Sequence, residues 1–311
     1  DNGVLQARIL SFGGALRDLR LAGLDRPLVL GFERVEDYTE NPLYLGVSVG
    51  RLANRVVGGD TIVDGRTVQL DRNEGGRHML HGGQDGTGRR SWRIEDHGPG
   101  HVLLSDTLPD GHMGFPGTLN VQLHYELDGA ALRVTYTATA DAPTICSFAP
   151  HLYFNLSGAD TIDDHVLTVH ADRYMPGEGG VPTGELASVE GTPFDLRQGG
   201  PVPAGADHNL CIAEAAGPLR EIARLSTSDL GMRILSTEPG LQLFDGGALA
   251  IPAGAGLDGR AYGARAGMAL EPQRWPDAPN NAWRDQVTLA PGQTFRAESH
   301  FVFEPGVTAP A

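Results

Sequence analysis

Carboxylates, histidines and arginines are the residues of this chain that could do chemistry, because lysine is absent: all 24 basic residues are arginine. Without an amine there is no Schiff-base aldolase, no pyridoxal enzyme and no phosphate-loop lysine. The commonest base of one large class of carbon-acid enzymes is missing as well. The stretch best suited to acid–base work is Gly267–Asn280, GMALEPQRWPDAPN. Its apolar run Met268, Ala269, Leu270 ends on Glu271, and Pro272, Trp275, Pro276, Asp277 and Pro279 follow. A strand that delivers a lone acid to a rigid aromatic loop presents a base at the mouth of a pocket. Taken alone, Glu271 reads instead as a strand end facing water, the usual place of a glutamate.

Other stretches are richer in polar groups than a sandwich core needs: Gly50–Arg55 (GRLANR), Leu80–Gly83 (LHGG) and Pro150–Leu156 (PHLYFNL). The glycines of the second let backbone approach a ligand closely. Singly, each has an ordinary account: a capped turn, a loop histidine, a core aromatic strand. Together with Glu271 and Asp207 they supply an acid, a base, a cation and neutral hydrogen-bond partners. That inventory suits a polyhydroxylated, uncharged ligand. The histidines do not have metal-site spacing: neither His78 with His81 nor His165 with His170 brings an HExxH or a third ligand. No metal is expected. His165 and His170 read as sheet residues and His208 as a loop residue. Gly254–Gly259 matches GxGxxG, but Pro252 precedes it and no amphipathic helix follows, so it reads as a glycine-rich loop.

The elements that must position these groups are strands. Leu119, Val121, Leu123, Tyr125 and Leu127 alternate with polar residues, Asp128-Gly129 follows, and Leu132, Val134, Tyr136 and Ala138 alternate again. Two half-buried strands joined by Asp-Gly predict a hairpin. Asp64-Gly65 repeats the device, Leu219–Leu225 and Met232–Thr237 bracket a turn, and alternation over Phe295–Phe303 predicts a last strand. Helical periodicity is scarce, with two turns expected at Phe32–Tyr38 and two more at Val47–Asn54. No linker or repeat interrupts the 311 residues. The fold class expected is all-β: one large antiparallel β-sandwich domain over residues 1–304, with few short helices and a loose tail at 305–311. A net charge of −15 with no basic block argues against nucleic acid and anionic membranes. Cys146 and Cys211 form no disulfide framework and read as core residues of a cytoplasmic protein.

The segments GRLANRVVGG, LHGG, HLYFNLSG, DHN, LQLFDGG and LEPQRWPDAPN, in this order, resemble those of the aldose 1-epimerase (galactose mutarotase) family. The resemblance implies a supersandwich with an open cleft on a sheet face, no cofactor, and a small-molecule sugar as partner, in a monomer or weak homodimer. It places Glu271 at the family's general-base position and His151 at its general-acid position. It assigns sugar binding to His81, Arg55 and Asp207, and less directly to Asn54 and Gln273. The implied activity is the interconversion of α and β anomers of a free aldose by ring opening and reclosure. A protonated His151 beside an ionised Glu271 would serve, a nearby carboxylate favouring the imidazolium. The alternatives are a hexose-6-phosphate 1-epimerase, which needs more cations, a glycoside hydrolase, which needs two carboxylates, and a non-catalytic carbohydrate-binding module. The chain departs from the family pattern at Pro150, Pro272, Asp245 and Gly247. The stretch Asn73–His81 is one residue longer than the usual spacing. Pro272 and Trp275 read as shaping the pocket.

Overall fold

The computed structural model describes residues 1–305. The Asp-Gly hairpin is its longest ladder: Leu119–Asp128 pairs with Ala131–Ala140, from Leu119 opposite Ala140 to Asp128 opposite Ala131. Along the first of these strands Leu119, Val121, Leu123 and Tyr125 are buried while the residues between them reach solvent, as a period of two requires. This hairpin belongs to a nine-stranded sheet. In spatial order its strands are Gly200–Pro201, Val166–Val169, Arg220–Ser226, Leu230–Ser236, Phe295–Pro305, Ala131–Ala140, Leu119–Asp128, His101–Leu108 and Arg93–Gly98. A six-stranded sheet runs Tyr153–Phe154, Met268–Gln273, Gly240–Phe244, Asp207–Cys211, Arg173–Met175, Ala187–Ser188. Neighbours in both sheets are antiparallel.

Leu123, Val134, Ile234 and Phe301 of the larger sheet share one buried cluster with Leu210, Leu241, Leu243, Met268 and Leu270 of the smaller. The rings of Phe154 and Phe301 meet across it with centroids 5.1 Å apart. The expected all-β sandwich is therefore what forms. The last strand runs to Pro305, the first residue of the expected tail; 306–311 lie outside the described residues. No helix is long and apolar enough to cross a membrane among the described residues.

Some local expectations fail. Val47–Asn54 is not helical: Ser48–Val49 pairs with Ala149–Pro150, and Leu52 bridges Ser147. Its valines suit a strand, and Asn54 takes a left-handed φ of 63° that ends any regular element. The turns near Phe32–Tyr38 form as a 3-10 segment displaced to Val35–Glu40, which buries Tyr38. His208 lies inside the Asp207–Cys211 strand, not in a loop, with its ring 4.4 Å from that of Phe194. His165 and His170 flank the Val166–Val169 strand rather than lie in it. The GxGxxG stretch ends in a 3-10 turn at Leu257–Gly259, with no helix to receive a phosphate.

The loops at one end of the smaller sheet are fastened to each other. Arg55–Val56 pairs with Met79–Leu80. Asp277 donates its backbone N–H to the Arg55 carbonyl at 2.9 Å, and its Oδ1 accepts from the Val57 N–H at 3.0 Å. Asn280 and Asn281 donate to the same carboxylate. Asp277 is 8% exposed, and removing it leaves several part-buried donors without their acceptor. Asp277→Ala is expected to cost about 1–3 kcal/mol, read as a lower midpoint in urea unfolding with an unchanged m-value.

Candidate active site

Period-two geometry decides which face of the Met268–Gln273 strand carries chemistry. Met268 and Leu270 enter the main core, so Ala269, Glu271 and Gln273 face the other way. Glu271 lies opposite Gln242, and Gln242 lies opposite Asn209 on the next strand. With Asp207, these residues make a polar face on an otherwise apolar sheet. Glu271 is only 2% exposed, so it is no solvated strand end. Beyond Ala269 the strand has a partner on one side only, and there Pro272, which lacks an N–H, is accommodated. Pro272 points away from Glu271 and does not line the pocket.

His151 follows the short Ala149–Pro150 strand and is held by its own backbone. Its N–H donates to the Val47 carbonyl at 2.9 Å, and its carbonyl accepts from Gly46 at 3.0 Å. That places Nε2 3.5 Å from Oε1 of Glu271. His151 Nδ1 and Glu271 Oε2 are buried without a protein partner. Burial pushes the Glu271 carboxyl well above the usual range; the Asp207 charge adds to this and Arg55 opposes it. Burial holds the His151 imidazole down at about 3. Burial thus acts against both charges of the expected imidazolium–carboxylate pair, and their mutual attraction opposes it.

His81 sits where the Arg55–Leu80 pairing delivers it, with φ of 52°. Its backbone N–H donates to the Asn54 carbonyl at 3.0 Å, and the Asn54 N–H donates to His81 Nδ1 at 3.1 Å. An accepting Nδ1 puts the ring hydrogen on Nε2. Burial, His151 and Arg55 all keep this imidazole neutral, well below its usual value. The ligating atoms of His81, His151 and Glu271 lie within 4.8 Å of one another, as a metal would need. The Nε2–H tautomer makes His81 a donor rather than a ligand there. Tyr44 backs His81, ring centroids 4.6 Å apart. Asn54 supports the site through its backbone, its side-chain Oδ1 accepting from the Arg55 N–H at 2.8 Å.

Arg55 is gripped by Glu74: Nε lies 3.1 and 2.9 Å from the two carboxylate oxygens, and Nη2 lies 2.8 Å from Oε1. Its Nη1 donates to the Gly180 carbonyl at 2.7 Å and stands 3.7 Å from Asp207 Oδ2. Asp207 Oδ1 accepts from Gln242 Nε2 at 2.7 Å. The remaining amide oxygen of Gln242 is buried and unpartnered. Gln242 and Tyr44 are missed by the sequence reading. Gln242 is flanked by Leu241 and Leu243, and only the alternation across those leucines could have marked it as facing away from the core. Gln273 shares Glu271's face but is wholly buried, both amide atoms without a partner. Trp275 packs with Met175 and Cys211 and donates to the Pro239 carbonyl at 2.9 Å. Asp245 accepts from Gly205, Gly247 and Arg265 and is structural. The structure thus brings Glu271, His151, His81, Arg55, Asp207 and Gln242 together, with Asn54 in support and Gln273 beneath.

Comparison with known proteins identifies the family. The family model described as aldose 1-epimerase matches residues 1–302. A Bos taurus protein named galactose mutarotase is 36% identical over 96% of this chain and 91% of its own length. An Escherichia coli (strain K12) aldose 1-epimerase is 31% identical over 97% of this chain and 93% of its own. Among solved structures, an aldose epimerase homologue from C. elegans superposes with a TM-score of 0.91 at 30% identity, covering 98% of this chain and 97% of that one. A galactose 1-epimerase from Lactobacillus acidophilus gives 0.84 at 27% identity, over 99% and 93%.

The proton placement can be read directly. Nitrogen-15 NMR of the imidazoles is expected to show His81 as the Nε2–H tautomer. Neither His81 nor His151 should titrate between about pH 7 and 5, where an ordinary histidine does. Loss of one untitrating signal in His151→Asn and of another in His81→Asn assigns them.

Proposed function

We infer that this chain, which belongs to the aldose 1-epimerase family, interconverts the α and β anomers of a free aldose such as galactose or glucose. The observation that carries the reading is a buried carboxylate and a buried imidazole 3.5 Å apart beside a fixed neutral donor. Inverting the anomeric centre of a cyclic hemiacetal takes ring opening, rotation about the C1–C2 bond and reclosure. In the reacting form Glu271 is ionised and accepts the proton of the C1 hydroxyl, while protonated His151 gives its proton to the ring oxygen. Opening leaves a neutral carboxyl and a neutral imidazole, the arrangement that burial favours. Closing on the other face returns both protons, so the pair ends each turnover as it began.

His81 Nε2–H donates to a sugar oxygen at the reacting end, and its lowered basicity keeps it from competing for the proton. Arg55, Asp207 and Gln242 hold hydroxyls further along the ring. No metal or cofactor enters this scheme. The catalytic unit is taken to be one subunit, in a monomer or weak homodimer. The two cysteines are free and buried, which supports a cytoplasmic location.

Glu271→Gln and His151→Asn are each expected to lower the catalysed rate by about 10²–10⁴-fold, with sugar binding partly retained. The measurement is the change in optical rotation of freshly dissolved α-D-glucose or α-D-galactose, corrected for the uncatalysed rate. Undiminished mutarotation in either variant would sink the assignment. Binding without acceleration in the unmodified protein would make the chain a sugar-binding module, and activity confined to a 6-phosphate would move it to the phosphate-sugar enzymes.

A further inference from the structure

The turn within Asn73–His81 has a use that the acid–base scheme leaves open. Gly75 and Gly76 both take left-handed φ, 58° and 67°, and turn the chain tightly. Glu74 and His78 close that turn through backbone bonds of 3.0 and 3.2 Å. Asn73 locks it to the next strand, its side chain donating to the Leu80 carbonyl at 2.9 Å and accepting the Leu80 N–H at 2.8 Å. The product of this local order is a single fixed carboxylate, Glu74, aimed at Arg55.

The geometry of that contact is a fork on a fork, with Nε and Nη2 of Arg55 both engaged and Nη1 left facing Asp207 and Gly180. An arginine side chain has many rotamers, and a bidentate carboxylate fixes both the plane and the reach of its guanidinium. The Arg55 side chain is 10% exposed, so water cannot replace a lost partner. The nearest other carboxylate is Asp207, which is already bonded to Gln242. Freed from Glu74, the guanidinium would swing onto Asp207 and compete with Gln242 for it. Three sugar-facing groups would then shift together, although Glu74 lies behind them.

We propose that Glu74 is the positioning residue of this site, holding Arg55 off Asp207 so that both remain available to substrate hydroxyls. The inference rests on the reading of Arg55 as a sugar-holding group. It also assigns the Asn73–His81 turn a purpose: delivering this carboxylate. Because Glu74 acts on binding and not on the proton pair, its loss weakens ground state and transition state alike.

Steady-state mutarotation of glucose and galactose by Glu74→Gln, Arg55→Met and the double variant tests this. Glu74→Gln is expected to raise KM by about 10-fold with kcat within about 3-fold of the unmodified protein. Glu74→Asp should recover part of the loss. In the Arg55→Met background, adding Glu74→Gln should change KM no further, since residues in one network are non-additive. Additive effects, or an unchanged KM in Glu74→Gln while Arg55→Met raises it, would overturn the proposal. An unchanged KM in Arg55→Met would overturn the reading of Arg55 itself and the proposal with it. Thermal melts accompany each variant; should Glu74→Gln not fold, Glu74→Asp takes its place in the cycle.

Discussion

The constraint on which the rest depends is the burial of a carboxylate and an imidazole side by side. Glu271 is 2% exposed and His151 5%. Two such groups cannot both carry charge cheaply away from water, and neither has a permanent ion partner within hydrogen-bond reach. Burial raises the basicity of the carboxylate and lowers that of the imidazole. That is also a catalytic resource: a proton passing between them meets two groups of altered basicity. A hydroxyl and a ring oxygen placed between the two groups complete the circuit. Had Glu271 stood in water, its basicity would be the ordinary one, and it would accept a hydroxyl proton less readily.

The scaffold maintains this burial by separating two jobs along the same strands. Leu241, Leu243, Met268 and Leu270 fill the space between the sheets, while Gln242 and Glu271, between them in sequence, line the opposite face. A one-residue slip in register would exchange the two sets, so the hydrophobic core itself fixes where the carboxylate points. The histidines come from loops, and their backbones are pinned instead: His151 through Val47 and Gly46, His81 through Asn54. Asp277 ties the Arg55 loop to the chain just beyond Glu271. Rigid strands and pinned loops together hold ring nitrogen and carboxylate oxygen at their separation before any sugar arrives.

What could be read in the sequence follows the same division. The long hairpins and the final strand were legible because alternation and Asp-Gly turns are local. The residues Glu271, His151, His81, Arg55 and Asp207 were legible through collinear motifs, and the structure gathers them in one place. The conformation of Val47–Asn54 was not, because its partners, Ser147 and Ala149–Pro150, lie far along the chain. Nor was the depth of Glu271: whether a carboxylate at a strand end meets water depends on what other segments place over it. Gln242 was hidden by its apolar neighbours, and Glu74 by a turn whose length has no local meaning until Arg55 is seen opposite it.

The charges around the pocket form a balance rather than a patch. One guanidinium, Arg55, faces Glu74 and Asp207, and the charges of Asp207 and Arg55 both reach Glu271, with opposite effect. Burial alone would disfavour the Arg55 charge, yet the Glu74 hydrogen bonds and the surrounding carboxylates hold its basicity above the ordinary value. A cation so fully engaged offers a substrate directed hydrogen bonds but little net field. An anionic sugar would find no uncompensated charge in Arg55, whereas a neutral polyol needs only donors and acceptors. The matching of Arg55 by Glu74 and Asp207 therefore favours an uncharged ligand.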